Sequence, residues 1–106
     1  MITGQHYIAG NWCGEPVAAN AAFNPASNSA LSWQFAEAGE AELQNLTEQA
    51  SAAFRRYRLV SPAQRAQFLQ AIATELETDK DAITETMVLE TALSADRAHA
   101  ELGRDR

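Results

Sequence analysis

One cysteine, two histidines and fourteen carboxylates carry most of the reactive chemistry open to this sequence. Cys13 is the only thiol, and a catalytic thiolate would need a base, a cation or a helix N-terminus beside it. It sits just past a hairpin turn with no histidine next to it in helical or strand register, so it reads as structural. His6 and His99 have no Cys, His or carboxylate at zinc-ligand spacing, and a zinc site takes at least three protein ligands. Both read as surface histidines. Glu75, Glu77, Asp79 and Asp81 form an acidic run, but without the glycine and terminal bidentate glutamate of a calcium loop it reads as a solvated helix corner. No GxGxxG or GxxxxGK phosphate loop is present. The expectation is therefore no catalytic, cofactor-binding or metal-binding residue within this chain.

Arg55, Arg56 and Arg58 close a predicted helix, where cations suit the negative end of the dipole. Trp12, Trp33 and Phe35 read as core or interface aromatics, not as a ligand platform. A net charge of −6, spread along helices, argues against nucleic acid or an anionic membrane surface as partner. The lone cysteine excludes an internal disulfide and fits a reducing cytosol. No apolar run approaches the roughly 20 residues of a membrane span, and the N-terminus lacks the charged and apolar regions of a signal peptide. The expected location is cytoplasmic. With 46% apolar and 21% charged residues the composition is that of a globular protein. A chain of this length packing alone buries roughly 65% of its unfolded surface.

The elements that would position these residues change character near Gly39. Residues 1–39 read as a strand and hairpin region, and residues 40–106 as a helical region, together part of one N-terminal domain. Tyr7, Ile8 and Trp12 flank Gly10-Asn11, a pair suited to a two-residue hairpin turn. Asn24 to Asn28 is a turn cluster built on Pro25. Leu31, Trp33 and Phe35 then alternate with Ser32 and Gln34, a strand with one buried face.

Leu43, Leu46, Ala50, Ala53, Phe54 and Tyr57 form one stripe of a helix from about Glu40 to Arg58. Ser61, Pro62 and Gln64 write a capping box with proline at the first helical position. The second helix has Phe68, Leu69, Ile72, Ala73 and Leu76 as its predicted core stripe. A third runs from about Lys80 to Thr91 with Ile83, Met87 and Val88 buried. Ser94 caps a fourth, with Asp96 in its first turn and only a thin stripe of Ala95, Ala98 and Leu102. That helix lacks a glycine cap and runs to Arg106, which suggests a fragment. The predicted fold class is α+β: a short antiparallel strand region, then about four helices.

These pieces, in order, resemble a known family. YIAGNW (residues 7–12), FNPASNSAL (23–31), AFRRYR (53–58), RAQFLQAIATEL (65–76), LETAL (89–93), then Arg97 and Glu101-Leu102, are together similar to the N-terminal segment of the NAD(P)-dependent aldehyde dehydrogenases. Most members carry Glu-Thr-Gly-Lys-Pro where this chain has Glu90-Thr91-Ala92-Leu93-Ser94. The ETAL form, with Tyr57-Arg58 and Arg65 to Leu69, looks like the α-ketoglutaric semialdehyde (2,5-dioxovalerate) dehydrogenases. Ser94 departs from the expected proline, and Ala100 from a glycine.

The resemblance implies a full-length enzyme in which a cysteine thiolate attacks the aldehyde, hydride passes to NAD or NADP, and a glutamate activates water. An amide side chain and a backbone N–H would hold the oxyanion. All these positions, and the cofactor loop, would lie beyond this segment, so the piece alone is expected to be inactive. Its partners would be the remainder of the dehydrogenase chain and other subunits of a homo-oligomer. The resemblance also offers Glu101 as a carboxylate for a monovalent cation near the FNP turn, and Arg97 and Glu101 as residues near the substrate entrance. Two other readings compete: a stand-alone α+β interaction or regulatory module derived from the family, and an unrelated four-helix adaptor.

Overall fold

The computed structural model describes residues 2–105. Their elements are β1 (His6–Ile8), β2 (Asn11–Cys13), β3 (Pro16–Asn24), β4 (Ser29–Ala36), α1 (Glu40–Tyr57), α2 (Pro62–Thr78), α3 (Lys80–Thr91) and α4 (Ala95–Asp105). The strands form two separate two-stranded sheets, β1–β2 and β3–β4, giving the α+β class expected. Two compact units divide the residues. One holds β1, β2, most of β3, β4 and α1; the other holds the β3–β4 turn and α2 to α4. Arg106, where the fourth helix was expected to run out, lies outside the described residues.

In the first unit, β1 and β2 pair antiparallel with His6 opposite Cys13, Tyr7 opposite Trp12 and Ile8 opposite Asn11. The two turn residues are therefore Ala9 and Gly10, both at positive φ (51° and 82°), one position earlier than expected. Side-chain contacts decide the register, because a slip of one residue turns every side chain to the other face. Here Ile8 is buried, while Tyr7 and Trp12 stack on the outside with centroids 4.9 Å apart. Ala9 accepts a left-handed conformation that costs roughly 1 kcal/mol, and Asn11 donates its side-chain amide to the Ala9 carbonyl.

Strand β3 has no counterpart in the sequence reading, because PVAANAAFN shows no alternation of large apolar and polar residues. The turn after it is as expected: Asn24 Oδ1 accepts from the Ala26 N–H at 2.9 Å. Along β4, Leu31 and Trp33 are half-buried between exposed Ser32 and Gln34, but Phe35 is exposed and Ala36 buried. A backbone bond explains the break. Ala36 donates its N–H to the Gly4 carbonyl at 2.7 Å, and the space beside it admits only small neighbours. A Cβ on Gly14 would stand 2.9 Å from that of Ala36.

The helix starts follow the sequence closely. Glu42 reaches back to accept the Gly39 N–H at the head of α1. Ser61 accepts from Gln64 N–H at 3.2 Å and Gln64 accepts from Ser61 N–H at 3.1 Å, a complete capping box. Ser94 accepts from the Arg97 N–H. Burial departs from expectation. The apolar stripes of α1 and α2 are largely exposed, and neither helix has a fully buried residue. Ile83, Met87 and Val88 are only half-buried; the buried residue of α3 is Thr84. Its hydroxyl returns to the Lys80 carbonyl at 2.9 Å, which satisfies it without a tertiary partner. The thin stripe of α4 is the best covered: Ala98 is 0% and Leu102 5% exposed, because α4 packs on α3.

Candidate functional site

Reactive side chains gather in three places. The first is the β1–β2 hairpin. Contrary to the sequence expectation, a histidine does stand in strand register with Cys13: His6 is its direct cross-strand partner. Directly opposed residues share one face of a sheet. The pairing was not legible because register depends on the turn, and the turn falls one residue earlier than the glycine-asparagine pair suggests. His6 is not a surface residue either. It is half-buried, and its Nε2 is shielded from water with no hydrogen-bond partner among the described residues. Cys13 is a free, half-buried thiol. Register alone does not make a nucleophilic pair, which needs the imidazole hydrogen-bonded to the thiol and held in place by a third group. Nε2 makes no such bond among the described residues.

The second place is a groove of about 540 Å³ between α3 and α4, lined by Asp81, Thr84, Glu85, Val88, Leu89, Ala95 and His99. His99 is exposed and its Nδ1 lies 2.7 Å from the Ala95 carbonyl one turn earlier, so Nδ1 donates the proton of that bond. Asp81 and Glu85 stand in the same groove, but no group of three or more His, Cys, Asp or Glu side chains among the described residues could hold a metal ion.

The third is the outer surface of α4. Glu101 pairs with Arg97 at 2.6 Å and with Arg104 at 3.4 Å. Two guanidinium groups thus offset the charge of one carboxylate. Along the acidic corner, Glu77 pairs with Lys80 at 2.9 Å while Asp79 joins α2 to α3. Arg55 donates to the Ser51 hydroxyl. Trp12 and Phe35 are exposed and Trp33 half-buried, so Trp33 alone approaches a core position.

A dinucleotide does not fit these residues. Pyrophosphate is held by free N–H groups at a helix N-terminus behind a glycine-rich turn. Here the first turns of α1, α3 and α4 carry Glu40 and Glu42, Asp81, and Asp96, and the N-terminus of α2 is occupied by its own capping box.

The sequence matches the aldehyde dehydrogenase family over residues 14–105. This chain belongs to that family. The match spans β3 and β4 and all four helices. No curated protein matches the sequence significantly. Aldehyde dehydrogenases are oxidoreductases that typically use NAD(P) and are typically oligomeric. No helix among the described residues is long and apolar enough to cross a membrane.

Proposed function

We propose that this chain is the N-terminal part of a cytoplasmic, homo-oligomeric aldehyde dehydrogenase that oxidises α-ketoglutaric semialdehyde to the carboxylate with NAD(P)+, and that the part alone does not turn over. The family match over residues 14–105 carries the reading. The lack of a hydrogen bond from His6 Nε2 to any described group, Cys13 included, and the poor fit to a dinucleotide support placing the chemistry on residues outside this chain. The apolar face of α2 supports a docking role toward the rest of the enzyme. Phe68, Leu69 and Ile72 are 53%, 61% and 41% exposed, and covering a side chain of this size is worth up to about 1.5–3 kcal/mol. The substrate assignment rests on the resemblance of Glu90-Thr91-Ala92-Leu93, which sets an alanine at the left-handed helix end (φ 59°).

A domain exchange tests this. The chain replaces the N-terminal segment of an α-ketoglutaric semialdehyde dehydrogenase, and NADH or NADPH formation is followed at 340 nm with that aldehyde and with acetaldehyde. A folded hybrid that prefers the semialdehyde supports the proposal. A folded but inactive hybrid, or turnover by the isolated chain, overturns it.

A further inference from the structure

The groove between α3 and α4 has an apolar part and a polar part. Val88, Leu89 and Ala95 line the first, with Leu89 39% exposed. Asp81, Thr84, Glu85 and His99 line the second, and their hydrogen-bonding sense is uniform. The two carboxylates only accept. Thr84 gives its hydroxyl proton to the Lys80 carbonyl at 2.9 Å. His99 gives its Nδ1 proton to the Ala95 carbonyl, which leaves Nε2 of the neutral ring as an acceptor. The polar lining thus presents acceptors and no free donor. Its charge is uncompensated as well. Lys80, Arg97 and Arg104 are the only cations of α3 and α4. Lys80 pairs with Glu77, and both arginines pair with Glu101. Asp81 and Glu85 are left with no ion-pair partner among the described residues.

Such a lining selects a ligand whose head only donates and whose body is apolar. A carboxylate or phosphate is repelled, and a neutral amide leaves its carbonyl unmatched. A bare metal ion finds no set of three ligands among the described residues. Residues four apart on a helix, as Asp81 and Glu85 are, have Cβ atoms about 5–6 Å apart. A planar fork of five donors spans that separation better than the compact head of an ammonium. We propose that the α3–α4 groove binds a small organic cation, a guanidinium carried on a short alkyl chain. The head bridges Asp81 and Glu85, with His99 Nε2 on the facing helix as a further acceptor. Leu89 lies about 6 Å further along the helix axis than Glu85, so the chain covers Val88 and Leu89. The groove's volume of about 540 Å³ suits a ligand of this size. The inference does not use the substrate proposed above, whose carboxylate the same residues would repel.

Titration of the full chain with hexylguanidinium chloride at fixed ionic strength tests it, followed by amide chemical shifts and by calorimetry. Saturable binding is expected, with shifts concentrated on the groove residues. Guanidinium chloride, which lacks the chain, should bind at least about tenfold more weakly, and hexanoate should not bind. Glu85→Gln, at an exposed position, should weaken binding about threefold. Asp96→Asn removes the same charge from an exposed position of α4 outside the groove and should leave binding unchanged. Circular dichroism checks that both variants fold. Four results would overturn the proposal: no saturation with hexylguanidinium, equal binding of hexanoate, equal effects of Glu85→Gln and Asp96→Asn, or binding only by a blocked Leu-Arg-Leu peptide. The last would assign the groove to an arginine of a protein segment and not to a small molecule.

Discussion

Arg97 closes on Glu101 at 2.6 Å, one turn along α4, and Arg104 approaches the same carboxylate at 3.4 Å. A monovalent cation would have to compete with both guanidinium groups for it. Glu101 and its two arginines sit in partly exposed surroundings, where an ion pair contributes under about 1 kcal/mol. It therefore neutralises the site without stabilising the fold much.

The first prediction concerns cations. Melting temperatures in potassium, sodium and choline chloride at equal ionic strength should agree to about one degree, since only general screening acts on an exposed pair. A saturable rise specific to one small cation would show that Glu101 exchanges its arginines for a metal.

The capping box of α2 makes a second prediction. Ser61 satisfies an N–H that the helix cannot, and its loss by Ser61→Ala should cost about 1 kcal/mol. For a chain of this size that lowers the melting temperature by roughly 4–8 °C. Ser61→Asp should hold stability close to that of the parent, which separates loss of the cap from loss of side-chain packing.

Local signals were legible and tertiary ones were not. Ser61 and Ser94 announce their helices because caps are settled within one turn of chain. Strand β3 was hidden because its alanines carry no periodic signal, and the hairpin moved by one residue because Ile8 and the Tyr7–Trp12 stack outweigh the turn preference of Gly10-Asn11. That same shift concealed the His6–Cys13 pairing. Burial was the least legible property. The rich stripes of α1 and α2 remain exposed while Ala98 and Leu102 are covered, since periodicity marks which face of a helix is apolar and says nothing about what meets it.

Ala92 supplies a third prediction. It ends α3 in the left-handed region, φ 59°, while its N–H donates to the Val88 carbonyl. A Cβ there is unfavourable, and glycine is the usual residue at this position. Ala92→Gly should therefore stabilise the chain by roughly 0.5–1 kcal/mol after the greater unfolded-state freedom of glycine is allowed for. Chemical denaturation should show a higher midpoint with an unchanged slope. A lower midpoint would mean that the Cβ of Ala92 makes a contact worth more than the strain.

Gly4 is the position at which a single methyl group does most harm. It is buried at φ 71°, its carbonyl accepts from Ala36, and a Cβ would stand 1.8 Å from the Gln34 carbonyl oxygen. The obstacle is backbone, so no side chain can swing away to make room. Gly4→Ala combines overpacking with left-handed strain and should cost about 3 kcal/mol. Gly10→Ala is the control: it has the same sign of φ, 82°, but open space around the new Cβ, so only the strain of roughly 1 kcal/mol applies. Urea melts of the two variants should therefore separate widely. Equal losses would mean that the N-terminal segment leaves Gln34 freely, and that the Gly4–Ala36 bond does not anchor β4.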